Sequence, residues 1–143
     1  MQRNIRNIIE GQTLVSAETT TTVRDAAQRM RQAKVGAIAV VEREHLAGVF
    51  TERDALVRVV AEGRDATRTC LGDVMTRNPV TCHPDQAFAQ ALQLMHQHRF
   101  RHVPVVEDGR VIGMVSARDA MGSELEAFIF ELLRQEQSTD VLA

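Results

Sequence analysis

Residues 48–54 read Gly48-Val49-Phe50-Thr51-Glu52-Arg53-Asp54, and a related stretch follows 65 positions later as Gly113-Met114-Val115-Ser116-Ala117-Arg118-Asp119. Both copies keep a glycine, a hydroxyl residue and, three positions after the hydroxyl, an aspartate. This pattern is expected where a strand ends and a helix begins. Because similarity at a fixed offset indicates an internal repeat, we interpret the chain as two copies of one unit.

The composition is that of a globular protein. The chain has 143 residues, 44% hydrophobic and 25% charged, and a domain of this size buries roughly 70% of its unfolded surface. No apolar run reaches the roughly 18 residues of a membrane span, and the residues after Met1 lack the apolar stretch of a signal peptide. We therefore expect a cytoplasmic protein.

The charge distribution argues against two classes of partner. The 17 basic and 19 acidic residues are interspersed, and Trp and Tyr are absent. Nucleic-acid binders usually carry a basic stripe, and single-strand binders add stacking aromatic residues. A membrane-surface protein would carry a polybasic helix. We therefore expect no nucleic-acid and no membrane partner.

Helical periodicity recurs in both copies. Arg3–Glu10 and Thr69–Met75 carry apolar residues at helical spacing, which predicts two short helices. N-cap oxygens for two longer helices are expected from Thr20–Thr22 and from Asp85. The buried faces of those longer helices are predicted by the i, i+3, i+4, i+7 spacing of Val23, Ala26, Ala27 and Met30 and of Phe88, Ala91, Leu92 and Met95.

Strand signals precede and follow these helices. Leu14–Ser16 and Pro79–Thr81 predict a short strand before each long helix. After each long helix two strands joined by a hairpin turn are expected, and Asp108-Gly109 is a type I′ signal. Pro104 predicts a sheet edge or an irregularity, because it has no N–H to donate. The hairpin strands are predicted at 38–41, 46–50, 103–106 and 111–115.

Each copy closes with a helix after its hydroxyl residue, and the first is predicted to run through Leu56, Val57 and Val60. The second continues with apolar residues on one side, which predicts a homodimer contact, at Leu125, Phe128, Ile129, Leu132 and Leu133. The alignment divides the chain into units 1–66 and 67–122, followed by a C-terminal helix and tail at 123–143. Half a chain has a marginal core, so we expect the units to pack together.

The repeated motif has two interpretations. In the structural one, Thr51 and Ser116 cap a helix and Asp54 and Asp119 reach back to a free N–H, as in a capping box. In the functional one, the carboxylate accepts hydrogen bonds from the two hydroxyls of a ribose. The N–H groups of the helix start, with the neighbouring arginine, would then favour a phosphate.

These features resemble a known family. The order of elements in each copy, ending in Gly-hydrophobic-hydrophobic-Thr/Ser-x-x-Asp, resembles a tandem pair of cystathionine-β-synthase-type (CBS) domains, called a Bateman module. Val74-Met75-Thr76, Asn78-Pro79-Val80 and His102-Val103-Pro104-Val105-Val106 resemble further parts of the family pattern. The resemblance implies an α/β (α+β) fold of two β-α-β-β-α units in a pseudo-two-fold arrangement. It also implies a regulatory module without catalysis that binds an adenosine ligand.

The resemblance also implies site residues. The Asp would bind ribose, the Thr or Ser would lie beside the phosphate with the following arginine, and strand backbone groups would contact adenine. Carried over, the first site would comprise Thr13, Val15, Ile38, Thr51, Arg53 and Asp54. The second would comprise Asn78, Val80, Val103, Ser116, Arg118 and Asp119.

The copies differ in charge near the expected phosphate. Arg99, Arg101 and His102 stand where the first copy has Lys34, Gly36 and Ala37. Arg101 and His102 are therefore candidates for a phosphate across the cleft, and the alternative is a solvated strand edge. This asymmetry favours the cleft of Asp119 for a phosphorylated ligand.

Other chemistry finds little support. His96 and His98 do not share a helix face, so we expect no metal site with His102. Cys70 and Cys82 are too far apart for a CxxC pair and are expected to be buried or half-buried thiols. We expect no catalytic residues and no P-loop.

Two functions from different classes remain. The first is a non-catalytic sensor that binds AMP, ADP or ATP, with NAD or S-adenosylmethionine as alternatives, and signals by a shift in unit packing to its dimer partner or to a protein in trans. No resident cofactor is expected, and AMP or ATP is the expected regulatory ligand. The alternative is a constitutive homodimerisation scaffold whose clefts hold no ligand.

Overall fold

The computed structural model describes the backbone of residues 3–142 and the side chains of residues 3–136 except Ser123. The first copy contains α1 (Ile5–Ile9), β1 (Ser16–Glu18), α2 (Val23–Ala33), β2 (Ala37–Glu42), β3 (His45–Thr51), α3 (Glu52–Asp54) and a π-helix (Ala55–Val60). The second contains α4 (Leu71–Val74), β4 (Thr76–Arg77), α5 (Phe88–His98), β5 (His102–Glu107), β6 (Arg110–Ser116), a 3-10 turn (Ala117–Asp119) and α6 (Gly122–Leu142). The predicted mixed α/β fold is confirmed.

One sheet joins the two copies. Its strand order is β1-β2-β3-β6-β5, and β4 adds to β3. Each hairpin turn has two successive residues with positive φ, as type I′ turns require: Arg43 and Glu44 in one copy, Asp108 and Gly109 in the other. Pro104 lies in β5, the last strand in this order, so the predicted edge position is confirmed.

The hydrophobic cores do not follow the sequence repeats. The helix α1 belongs to the core of the second copy, where Ile5 is fully buried with Phe88 and Val115. The helix α4 belongs to the core of the first copy, where Leu71 is fully buried with Phe50. Each core is therefore completed by the short helix of the other copy.

The two motif glycines permit this exchange of helices. A side chain on Gly113 would come within 2.8 Å of Ile9 in α1, and one on Gly48 within 2.6 Å of the Thr76 carbonyl oxygen. Cβ atoms in folded proteins essentially never approach other atoms this closely. The glycines thus make room for the crossing chain segments.

Four local predictions are wrong. The first strand lies at Ser16–Glu18 instead of Leu14–Ser16, and Pro79–Thr81 forms no strand, since only Cys82 bridges to Val105. Pro79 begins that segment and Pro84 follows shortly after it, and a proline cannot donate to a ladder. Thr22 caps α2 as expected, whereas α5 has Ala87 at its N-cap and Asp85 pairs with Arg6. Ala27, predicted on the buried face of α2, is exposed.

The long helix α6 divides its apolar residues between two environments. Phe128 packs against the second core and meets His96 edge-on at 5.7 Å, and Leu132 is half-buried. The remaining predicted residues of this face are exposed, namely Leu125 (43%), Ile129 (53%) and Leu133 (53%). None of the described helices is long and apolar enough to cross a membrane.

Candidate functional site

Both motif aspartates lie where a strand turns into a helix. In the first copy, Thr51 N donates to Asp54 Oδ2 at 3.0 Å, and Asp54 N donates to Thr51 Oγ1 at 3.1 Å. In the second, Ser116 N donates to Asp119 Oδ2 at 2.8 Å. The capping interpretation is therefore confirmed for the first copy, and the same aspartate-to-backbone bond is present in the second.

A cavity of about 310 Å³ opens beside Asp119. This volume lies within the roughly 300–1,000 Å³ of small-molecule sites. One wall comes from the first copy and the other from the second, so the cavity is a cleft between the units. Its lining comprises Gln12, Thr13, Leu14, Val15, Lys34, Val35, Gly36, Ala37, His102, Met114, Ser116, Arg118 and Asp119.

The cleft carries one open carboxylate oxygen and two cations. Asp119 Oδ2 accepts from the backbone and hydroxyl of Ser116, whereas Oδ1 has no donor among the described residues. Lys34 and Arg118 line the same cleft, and neither has an acidic partner within salt-bridge distance in the described part of the chain. The cleft thus combines an acceptor for hydroxyl groups with unpaired positive charge for an anion.

His102 projects into the cleft from the start of β5. Burial lowers its pKa below the usual 6.5, and the nearby Arg101 and Arg118 act in the same direction, while Glu52 and Asp119 oppose them. Gly36 adjoins this region: a Cβ there would require the Glu52 carboxylate to move and would come within 3.3 Å of the His102 ring.

Six of the predicted ligand-binding residues line this one cleft, and eight do not. Thr13, Val15, His102, Ser116, Arg118 and Asp119 are brought together. The expected grouping of Thr13 and Val15 with Thr51 and Asp54 is wrong for this cleft. The cause is the crossing of chain segments, since Gln12 bonds through its side-chain amide to the backbone N and O of Met114 in β6.

The other predicted residues lie outside its lining. Ile38 and Val103 are fully buried, so only their backbone could reach a ligand. Asn78 is exposed with φ of 47°, and Val80 is half-buried. Arg101 is exposed and accepts a hydrogen bond from Ala117 N through its carbonyl oxygen, and Arg53 is exposed as well. Thr51 and Asp54 hydrogen-bond to each other.

Sequence reasoning missed several lining residues. It treated Lys34, Gly36 and Ala37 as the less charged counterparts of Arg99 to His102, and it assigned no role to Gln12 or Met114. No periodicity identifies them: Gln12 and Lys34 to Ala37 belong to the first copy and meet Asp119 only when the two copies pack together, and Met114 lies in β6 just before Ser116. For Lys34 and Gly36 the available signal is position, since both lie in the connection between α2 and β2 beside the cleft.

One group outside the cleft has metal-binding residue types. Ligand atoms of His83, Asp85 and Glu107 lie within 4.8 Å of one another. However, Arg6 Nη2 pairs with Asp85 at 3.0 Å and with Glu107 at 2.6 Å, so both carboxylates already have a cationic partner. We therefore interpret the group as an ion-pair cluster.

The remaining histidines and cysteines have structural surroundings. His98 stacks on Phe100 with ring centroids 5.5 Å apart, and His96 meets Phe128. Cys82 is buried, which raises the pKa of its thiol to about 12, and Cys70 is half-buried. The predicted burial of both free thiols is confirmed.

Comparisons with known proteins agree with this architecture. The family model described as CBS domain matches residues 5–61 and 71–126. The chain is 41% identical over 118 residues to the CBS domain-containing protein CBSX3, mitochondrial, of Arabidopsis thaliana, covering 79% of this chain and 57% of that protein. It is 40% identical over 98 residues to the CBS domain-containing protein YhcV of Bacillus subtilis, covering 68% of this chain and 69% of that protein.

A solved structure extends the comparison to nearly the whole fold. The CBS domain protein PAE2072 from Pyrobaculum aerophilum, complexed with AMP, matches with a TM-score of 0.80 and 25% identity, covering 90% of this chain and 99% of that one. Two matched segments in tandem and the agreement in fold lead to one conclusion. The chain belongs to the CBS-domain family, and it carries two CBS domains in succession.

Proposed function

We propose that this protein is a non-catalytic regulatory module that binds an adenosine nucleotide in the cleft beside Asp119. The observation that carries the proposal is the open Asp119 oxygen in a 310 Å³ cleft that also contains Lys34 and Arg118. A carboxylate matches the paired hydroxyls of ribose, and the two cations match a phosphate. The AMP bound to the Pyrobaculum protein adds support from a relative of the same fold.

The cleft favours a small nucleotide. Its volume lies near the lower end of the range for ligand sites, so AMP is the first ligand to test and ATP the second. Thr13, Val15 and Ala37 line the cleft from the first copy, and we expect the base to lie against them. Ligand binding would pull the two units together, because the cleft walls come from different copies.

Isothermal titration calorimetry with AMP, ADP, ATP, NAD and S-adenosylmethionine tests the proposal. Asp119→Asn keeps the size of the side chain but removes its charge, and we expect about 10- to 100-fold weaker AMP binding. Asp108→Asn in the exposed hairpin turn is the matched control and should bind as the unmodified chain does. Binding of no member of the panel, or equal affinity in the Asp119→Asn variant, would refute the assignment.

The phosphate contact can be tested separately. Lys34→Ala and Arg118→Ala should weaken binding of AMP and leave binding of adenosine nearly unchanged, since adenosine has no phosphate. Equal losses of affinity for AMP and for adenosine would indicate that Lys34 and Arg118 do not contact the phosphate.

A homodimer is the second proposal, and exposed apolar side chains support it. Leu56 is 62% exposed, Val60 68%, Ile129 53% and Phe130 71%. Leu56 and Val60 match Met121 and Leu125 of the second copy, so the same positions are apolar and exposed in both units. Contiguous exposed apolar residues mark interaction surfaces. A scaffold without a ligand would need the same surface, so dimerisation alone does not distinguish the two functions.

Sedimentation velocity tests the dimer. We expect the unmodified chain to sediment as a dimer and Ile129→Glu as a monomer, because a charge would be buried at the interface. Glu126→Lys on an exposed position of α6 is the control. A dimer that persists in Ile129→Glu would exclude this part of α6. A dimer that binds none of the nucleotides would favour the scaffold.

A protein partner in trans and cytoplasmic residence stay predictions. The name of the Arabidopsis relative places that protein in mitochondria. The absence of catalysis is also part of the proposal, and chromatography of each nucleotide after incubation with the protein would detect turnover.

A further inference from the structure

The two motif aspartates occupy different environments although their sequence contexts match. Asp54 is only 7% exposed, whereas Asp119 is half-buried at the cleft. Beyond its capping bonds, Asp54 accepts from Thr76 Oγ1 at 3.3 Å and 3.4 Å. Arg58 Nε lies 3.6 Å from Asp54 Oδ1. Both carboxylate oxygens of Asp54 therefore have partners within the protein.

Arg58 also connects the Asp54 carboxylate to α4, the short helix that comes from the second copy. Its Nη1 atom donates to the carbonyl oxygens of Met75 at 2.7 Å and Val74 at 3.3 Å. These carbonyls lie at the end of α4, the helix that completes the first core. Asp54, Arg58 and Thr76, which we name the Asp54 cluster, thus fasten the exchanged helix to the unit that it enters.

The second copy lacks the residues needed for an equivalent cluster. At the repeat offset of 65 residues, Gly11 stands in the place of Thr76 and Ser123 in the place of Arg58. Glycine has no hydroxyl to donate to Asp119, and serine has no guanidinium group. The corresponding sequence difference leaves Asp119 Oδ1 without a donor among the described residues.

We propose that the two aspartates have divided roles: the Asp54 cluster is a structural connection between the copies, and the chain binds one nucleotide, at Asp119. This inference rests on the proposed function for its ligand and on the Asp54 contacts for its structural part. A ribose at Asp54 would have to displace the Thr76 hydroxyl and compete with Arg58 for a buried carboxylate. At Asp119 it meets an oxygen without a protein donor.

Calorimetry with AMP tests directly whether the two aspartates have divided roles. We expect a stoichiometry of one for the unmodified chain, an unchanged stoichiometry and affinity within about threefold for Asp54→Asn, and loss of at least tenfold in affinity for Asp119→Asn. Two binding events in the unmodified chain, one of them lost in Asp54→Asn, would overturn the inference.

Thermal unfolding without ligand tests the structural part even if no nucleotide binds. Asp54→Asn and Thr76→Val should each lower the melting temperature by roughly 3–10 °C, because each breaks a hydrogen-bonded group around a buried carboxylate. Asp119→Asn should change it by less than about 2 °C, since that carboxylate has fewer partners. Thr76→Val is the milder variant, in case Asp54→Asn does not fold. Equal effects at the two aspartates would contradict the division of roles.

Discussion

At the scale of single residues, His102 is the residue in the cleft whose pKa the fold lowers. Burial is the main cause of its lowered pKa, and Arg101 and Arg118 add to it. Glu52 and Asp119 act in the opposite direction without cancelling the shift. The folded protein therefore resists protonation of His102 more than the unfolded chain does, and this difference couples stability to pH.

The sign of the coupling follows from the direction of the shift. Above the unfolded pKa of about 6.5 neither state is protonated at His102, and the residue contributes no pH dependence. As pH falls through 6.5 towards the lower folded pKa, the unfolded chain binds a proton first, so the free energy of unfolding decreases. We expect His102→Gln to remove this part of the acid destabilisation. Chemical denaturation at pH 5.5 and pH 8 measures it, and an identical pH dependence in the variant would refute the role of His102.

At the scale of elements, Arg3 ties the start of the chain to α6 and to the ligand motif. Its Nη2 atom donates to the carbonyl oxygen of Asp119 and to Glu124 Oε1, both at 2.6 Å. Glu124, in the first turn of α6, is only 7% exposed, and the hydrogen bonds from Arg3 are the main cause of its lowered pKa. Arg3 therefore holds Asp119 and α6 in a fixed relation.

Arg3→Ala should destabilise the protein more than Arg6→Ala. The first change leaves the buried Glu124 carboxylate without its cation, whereas Arg6 pairs with Asp85, whose side chain is 67% exposed and remains solvated. We expect melting temperatures lower by roughly 3–8 °C for Arg3→Ala and by less than about 2 °C for Arg6→Ala. Differential scanning fluorimetry of the two variants provides the comparison. A larger loss for Arg6→Ala would show that the surface cluster with Glu107 matters more than Glu124.

At the scale of the whole molecule, the sequence predicts each unit but not how the units share their cores. The hairpins were predictable because Asp108-Gly109 favours a single turn type, and the helix start was predictable because Thr51 and Asp54 form a local hydrogen-bonded pair. The apolar residues of α1 indicate that one face is buried, but they do not identify the partner. Ile9 meets Gly113 across more than a hundred residues, and only folding brings them together. For the same reason the sequence predicts only some of the cleft residues, and it assigns Thr13 and Val15 to a different site from Asp119.

The exchange of short helices predicts which half of the chain folds alone. A fragment of residues 1–66 contains α1, whose Ile5 and Ile9 belong to the other core, and lacks Leu71, Val74 and Met75. A fragment of residues 11–77 has nearly the same length and contains every residue of the first core. Losing three buried side chains at roughly 2–5 kcal/mol each exceeds the margin of a domain this small. We therefore expect cooperative thermal unfolding by circular dichroism for 11–77 and none for 1–66. Equal stability of the two fragments would mean that α1 can take the place of α4, and that the exchange is not what completes each core.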